Sequence, residues 1–342
     1  MKAVGYAQSL KISNPKALQD IELPQPTPES RDLLVKVNAV SVNPVDTKIR
    51  MTTAPALGQY KVLGYDAVGE VVAVGDAVSS YKVGDRVWYA GDITRSGTNA
   101  EYHLVDERIV GKAPQSLSDA EAAAVPLTAI TAWELLFDRI GLQQKQNEQN
   151  ASADERLLVV GAAGGVGSIL IQLASQLTKA TVIGTASRPA SQAWVKERGA
   201  DHVIDHSKSF SAELSRVGLD NVTHIISLTH TDQHYDQLVE IIAPQGKIAL
   251  IDNPIGGLDI MKLKQKSVSL HWEFMFTRSM FQTADMTEQA VLLNKVSELI
   301  DTGLIKTTLG KNYGLINAEN LKRAHAQVES NTSIGKIVLQ GF

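Results

Sequence analysis

The stretch Arg156-Leu-Leu-Val-Val-Gly-Ala-Ala-Gly-Gly-Val-Gly-Ser-Ile-Leu-Ile-Gln-Leu-Ala174 decides how this chain is read. Arg156 to Gly161 is a short leucine and β-branched run, the composition of a strand buried on both faces of a parallel sheet. Gly164, Gly165 and Gly167 follow, and Ser168 to Leu177 then reads as a helix with an apolar face. Aligned as Ala162-x-Gly164-x-x-Gly167, the turn is the dinucleotide fingerprint with its first glycine replaced by alanine. Glycine lets backbone approach a pyrophosphate, whose charge then sits against unpaired N–H groups at the start of the helix. Ala163, Gly164, Gly165, Val166 and Gly167 are therefore the candidate cofactor contacts. The alternative is a tight strand-to-helix turn that uses glycine for steric reasons alone.

Outward from that turn, strand and helix alternate. Thr181–Ala186, His202–Ile204, His224–Leu228 and Lys247–Ile251 are candidate strands, with helices around 168–177, 190–198 and 232–242. Such alternation predicts an α/β doubly wound parallel sheet with helices on both faces. Val268 to Phe276 reads as one more strand, and Thr287 to Thr302 as an amphipathic helix stopped by Gly303. Upstream, the first ~110 residues read as a compact β domain by the spacing of their strands. Its strands include Met1–Tyr6, Leu33–Val42 and a bent, glycine-bearing segment from Leu63 to Gly75. Ala120–Val125 and Leu127–Phe137 are helical in composition, parted by Pro126, and Gln143 to Ala153 reads as an exposed polar loop.

The chain has 342 residues, enough for two domains, with 44% hydrophobic and 20% charged residues and a net charge of −4. That charge gives no electrostatic case for nucleic acid or an anionic membrane. No run approaches the about 18 consecutive apolar residues of a spanning helix, and the chain opens on a strand-like segment rather than a signal peptide. The absence of cysteine excludes disulfides and thiolate metal ligands. A cytoplasmic protein is the expectation.

The order of motifs resembles the medium-chain dehydrogenase/reductase superfamily, specifically its zinc-free quinone oxidoreductase branch. The matching pieces are Asn43-Pro-Val-Asp46, Gly64-Tyr-Asp-Ala-Val-Gly69, Gly84-Asp-Arg-Val87, Gly97-Thr-Asn-Ala-Glu-Tyr102, Ala122-Ala-Ala-Val-Pro-Leu-Thr-Ala-Ile-Thr-Ala-Trp133 and Ala163-Gly-Gly-Val-Gly167. Ser187-Arg-Pro189 and Trp272-Glu-Phe-Met-Phe-Thr-Arg-Ser-Met280 are similar to a subgroup labelled zinc-type alcohol dehydrogenase-like. The resemblance implies a GroES-like, β-rich catalytic domain built from residues 1–127 and 276–342, and a Rossmann NADP-binding domain at 128–275, with the active site in the cleft between them. It also implies a homodimer or homotetramer, paired through the edge strand at Val268–Phe276.

In the zinc-bearing alcohol dehydrogenases of this superfamily, two cysteines and a histidine hold the catalytic metal. This sequence has Asn43, Tyr65 and roughly Leu127 there, and none offers the thiolate, imidazole or carboxylate that zinc binds at about 2.0–2.3 Å. His230 and His234, four apart, lack a third ligand. No metal is expected. Without a Lewis acid, an activated acceptor is the easier substrate, because a hydrogen-bond donor can stabilise the enolate left by hydride addition. The resemblance puts Tyr65 and Asn43 in that donor role. The alternative for Tyr65 is a tyrosine that only walls the site, and Asp46 and Asp66 read as structural acceptors. About 20 residues beyond the glycines, where NAD enzymes carry an acid, stand Ser187 and Arg188. A hydroxyl and a guanidinium suit a 2′-phosphate, so NADPH is the expected cofactor. The resemblance adds His206 near that phosphate, Thr131 near the diphosphate or nicotinamide, and Phe276 on the nicotinamide pocket. The expected function is hydride transfer from NADPH to a quinone or α,β-unsaturated carbonyl; an enoyl-thioester reductase and a non-catalytic NADPH-binding protein are the alternatives.

Overall fold

The computed structural model describes residues 1–145 and 154–342; of the expected polar loop, 146–153 lie outside the described residues. The chain divides into two compact units, residues 1–130 with 276–342, and residues 131–275.

The second unit is built on the run that opened the reading. Its six strands all run parallel, in the order His202–Ile204, Thr181–Thr185, Arg156–Val160, Val222–Ser227, Ile242–Leu250 and Ser269–Trp272. In chain order this is third, second, first, fourth, fifth, sixth, the doubly wound arrangement. Leu158, Val160, Ile183, Ile225, Ile248 and Leu250 pack beneath the crossover helices with Phe210, Leu214 and Leu238. The order reverses between Arg156–Val160 and Val222–Ser227, and the glycine turn leaves the sheet at that switch point. Ligands of open α/β sheets bind there.

The first unit takes strands from both ends of the chain. Its larger sheet runs Leu309–Asn312, Lys336–Gln340, Asp32–Val42, Ala67–Val74, Arg86–Tyr89 and Gly111–Lys112, with Tyr102–Asp106 also on Asp32–Val42. Ile337 opposite Val42 and Leu339 opposite Val40 close the sheet, so residues almost the whole chain apart become neighbours. The pairing of Asp32–Val42 with Ala67–Val74 shifts register twice, the bulged strand that the glycines of this segment predict. A smaller sheet joins Gln19–Glu22, Lys2–Tyr6 and Lys61–Val62.

One reading is corrected. The segment Val268–Phe276 is a strand only over Ser269–Trp272. Trp272 pairs with Leu250, the last residue of the neighbouring strand, and the ladder stops there. Phe276 instead sits before the short helix Thr277–Phe281, its own backbone right-handed helical. The strand break at Asn43 opens a helix, Pro44–Thr52, with Pro44 in its first turn and the Asp46 carboxylate accepting the Asn43 N–H at 2.8 Å. Buried Arg50 anchors that helix on His325 and Glu329 of helix Ala318–Glu329. Finally, the helical run Asp119–Arg139 spans 21 residues at a hydropathy of 1.3, long and apolar enough by those measures to cross a membrane. With 83% of that window buried, it is a core element.

Candidate active site and cofactor site

In the first unit, the strand Asp32–Val42 ends against the bend Gly64–Asp66, and Lys336 opens the strand Lys336–Gln340 beside it. Asp66 is the hub. Its carboxylate accepts from Ser41 Oγ at 2.7 Å, Asn43 Nδ2 at 2.7 Å, the Leu127 backbone N–H at 2.7 Å and Lys336 Nζ at 3.1 Å. Lys336 also donates to Asn43 Oδ1 and, at 3.3 Å, to the Val42 carbonyl. A buried carboxylate is tolerable when it is paired and its lone pairs are filled, and here both conditions hold. Asp46 is buried too, accepting the Asn43 and Gly64 N–H groups at 2.8 and 2.9 Å. Burial pushes its carboxyl up to about 7 against those two donors and the charge of Lys336.

Of the two expected substrate donors, Asn43 has its amide engaged at both ends, the oxygen by Lys336 and the nitrogen by Asp66. Tyr65 differs. It is 1% exposed, its ring packs edge-to-face with that of Phe276 at a centroid distance of 5.3 Å, and its buried hydroxyl has no hydrogen-bond partner among the described residues. Burial raises its pKa above the usual phenol value, which keeps the proton on oxygen at neutral pH.

These residues do not fit zinc. The position offers an amide, a phenol, a backbone N–H and one carboxylate already saturated by an ammonium and three other donors. A dication would have to displace Lys336 and still find imidazole or thiolate; among the described residues no three His, Cys, Asp or Glu are grouped to hold a metal.

In the second unit, Gly161 turns out of its strand at φ 82°, a left-handed backbone that glycine reaches without strain. The helix Gly165–Leu177 begins at Gly164 with no side-chain cap among the described residues, so no hydroxyl or carboxylate fills its first turn at Gly165, Val166 and Gly167. A Cβ on Gly167 would stand 2.6 Å from Ala162 Cα and from the Gly161 carbonyl oxygen, so only glycine lets helix and turn close this far. Ala163 lies in the same turn. Ser187 and exposed Arg188 follow the strand Thr181–Thr185, Arg188 opening the helix Pro189–Glu197. His206 follows His202–Ile204, half-buried. Burial, with Arg188 and His230 adding positive charge, holds its imidazole below the ordinary range despite Asp205 beside it. Thr131 is buried on the helix Pro126–Trp133. The sequence reading thus brings Asn43, Tyr65 and Phe276 into one cluster, and the glycine turn, Ser187, Arg188 and His206 to one end of the parallel sheet. It missed Lys336, whose signal was a lysine at the head of the apolar run Ile337–Leu339. It also missed Gly161.

Comparison with known proteins bears on both regions. The profile of the alcohol dehydrogenase GroES-like domain matches residues 29–115, and that of zinc-binding dehydrogenases matches residues 198–339. A zinc-type alcohol dehydrogenase-like protein of Staphylococcus epidermidis is 37% identical over 339 residues, 99% of each chain. A crystal structure from Rhizobium etli CFN 42, described as a candidate zinc-dependent alcohol dehydrogenase, is 54% identical with a TM-score of 0.95, covering 100% of this chain and 98% of its own. Quinone oxidoreductase of Escherichia coli complexed with NADPH is 26% identical with a TM-score of 0.80, covering 99% of this chain and 100% of its own.

Proposed function

The chain belongs to the medium-chain dehydrogenase/reductase superfamily, in its quinone oxidoreductase-like branch, and from that premise we propose a zinc-independent reductase that passes hydride from NADPH to a quinone or α,β-unsaturated carbonyl. That it is an oxidoreductase of this family with a nicotinamide cofactor follows from the family itself; acceptor and choice of dinucleotide are the proposal. The observation that carries it is the buried Tyr65 hydroxyl, which has no hydrogen-bond partner among the described residues, next in sequence to Asp66, whose carboxylate is filled by Lys336.

When bound, the cofactor supplies hydride to an electrophilic carbon. The chain's own residues do the rest. Tyr65 Oη donates to the acceptor's oxygen as negative charge develops there, and its raised pKa keeps it a donor throughout. Asn43, Asp66 and Lys336 do not touch the acceptor in this account; they fix the backbone on either side of Tyr65. The uncapped first turn at Gly165–Gly167 receives the diphosphate, and Ser187 with Arg188 receives the 2′-phosphate, where a carboxylate would repel it. Names that mention zinc in relatives do not carry over, because the donor set here does not fit the metal.

We further propose assembly as a homodimer or homotetramer through Ser269–Trp272, the outermost strand of the six-stranded sheet, where Trp272 is 55% exposed. Light scattering at micromolar concentration checks this: a stable monomer would remove it. The acceptor class is tested by NADPH oxidation against ortho- and para-quinones, 2-alkenals, enoyl thioesters and simple alcohols. Turnover with quinones or enones and none with simple alcohols is expected. Turnover confined to simple alcohols, or to enoyl thioesters, would refute the reading.

A further inference from the structure

The carboxyl ends of the second unit's strands carry more imidazole than a phosphate site needs for charge alone. His206 follows the third strand and His230 the fourth. His230 takes a left-handed backbone, φ 52°, at the start of helix Thr231–Ile241, a conformation that a non-glycine residue adopts only where its surroundings hold it. Its Nδ1 lies 2.8 Å from Thr229 Oγ1, and Thr229 packs on the glycine turn, since a Cβ on Gly161 would come within 3.0 Å of Thr229 Cγ2. One helical turn on, His234 stacks on Phe210 at 5.2 Å and meets the His206 ring edge-on at 6.0 Å. His234 Nδ1 is buried and has no hydrogen-bond partner. The three imidazoles therefore form one group beside the glycine turn, with Arg188 close enough for its charge to act on His206.

The other charges around the group are few. Asp205 adjoins His206, but its carboxylate is occupied by the Ser207 hydroxyl and N–H at 2.7 and 3.0 Å, with Lys208 at 3.9 Å. Glu213 accepts the Asp205 N–H and pairs with Arg216. Asp232 acts on His234, and Asp252 accepts from Thr231 at the start of the helix. Burial first, and mutual positive charge second, hold both His206 and His234 below the ordinary imidazole range.

We propose that this histidine group is the proton acceptor of the 2′-phosphate site, with His206 taking a proton from solvent as the dianionic phosphate binds. This rests on the reading of NADPH as cofactor, and it adds His230 and His234 as residues that set the preference for it. The sign follows from linkage. Phosphate beside His206 raises its pKa in the complex above that in the free protein, so the added affinity is complete at low pH and lost as pH rises through the bound-state value. An imidazolium N–H then donates a charge-assisted bond to the phosphate beside Arg188. NADH, without the phosphate, has no such dependence. Protonation of the phosphate itself, near pH ~6, ends the useful window on the acid side.

Isothermal titration of NADPH and NADH at pH 6.5 and 8.0, each in two buffers of different ionisation heat, tests this directly. The expected result is NADPH affinity about five- to tenfold tighter at pH 6.5, with net proton uptake of up to about one per site, and NADH affinity changed less than about twofold. His206→Asn should remove the NADPH-specific difference and the proton uptake, and His234→Gln should shrink both, with circular dichroism confirming the fold. NADPH preferred over NADH at both pH values but without proton uptake would overturn the inference and leave the cofactor reading standing. So would a pH difference that survives in His206→Asn. Equal affinity for the two dinucleotides at both pH values would overturn the cofactor reading, and the inference with it.

Discussion

Around Asp66 the polar atoms satisfy one another, whereas around Gly164 they wait for something. In the first region a carboxylate, an amide, a hydroxyl, a backbone N–H and an ammonium partner each other in a buried cluster, and the Tyr65 hydroxyl alone is left over. In the second, a helix starts without a side-chain cap and a buried imidazole nitrogen has no partner among the described residues. Buried polar groups in folded proteins are nearly all hydrogen-bonded, so the exceptions point to ligands. Satisfied groups hold the architecture; unsatisfied ones mark where chemistry arrives. By that criterion Asn43 belongs to the architecture and Tyr65 to the proposed reaction.

The sharpest way to break this contrast is to unbalance the satisfied side. Lys336→Met leaves the Asp66 charge buried without its ammonium, and such a change costs about 3–5 kcal/mol. Urea denaturation should show that loss, with much of it recovered in Lys336→Met/Asp66→Asn; a loss below about 1 kcal/mol would mean the pair is not part of the core. At the carboxyl end of the parallel sheet, Arg188→Ala should weaken NADPH by about 1.5–3 kcal/mol while leaving NADH unchanged. Titrating both dinucleotides decides it, and equal affinities in wild type would remove the 2′-phosphate assignment. Gly167→Ala forces a Cβ onto Ala162 and the Gly161 carbonyl, so about 1–3 kcal/mol of stability should go, and cofactor affinity with it. The last effect is a pH dependence. Asp46 rises from 3.8 to about 7 on folding, so the native state keeps a proton that the unfolded chain has lost between those values. Its contribution to stability therefore falls as pH rises through that window and is flat above it. The stability difference between wild type and Asp46→Asn should shrink from pH 4.5 to pH 7; a difference that grows would contradict the assignment.

How much of this was legible beforehand follows the same physics. The Rossmann strands were readable because a strand buried on both faces must be apolar throughout, as Leu157–Val160 is. The edge strand was over-read, since the aromatic run to Phe276 resembles a strand locally but ends where its neighbour does. The polar strand Gln19–Glu22 and the short helix Phe210–Arg216 carry too little hydrophobic pattern to declare themselves. Helix Pro44–Thr52 could have been found from its Asn43, Pro44 and Asp46 signature. The position of Tyr65 came from family resemblance. That Asn43 is fully engaged could not be foreseen, because its partner Lys336 lies 293 positions away and reaches it only once the two ends of the chain share a sheet.

The central claim is that the reaction uses the Tyr65 hydroxyl and no metal. It is tested most directly by steady-state oxidation of NADPH with a quinone acceptor, on protein dialysed against chelator, comparing wild type, Tyr65→Phe and Tyr65→Ala. The account predicts undiminished wild-type turnover after chelation, and a fall of about 10²–10³ in kcat for Tyr65→Phe, about 2.7–4 kcal/mol, with the KM for NADPH unchanged. Full activity in Tyr65→Phe with impairment only in Tyr65→Ala would make the residue a wall rather than a donor. Turnover abolished by chelator and restored by zinc would contradict the account as a whole.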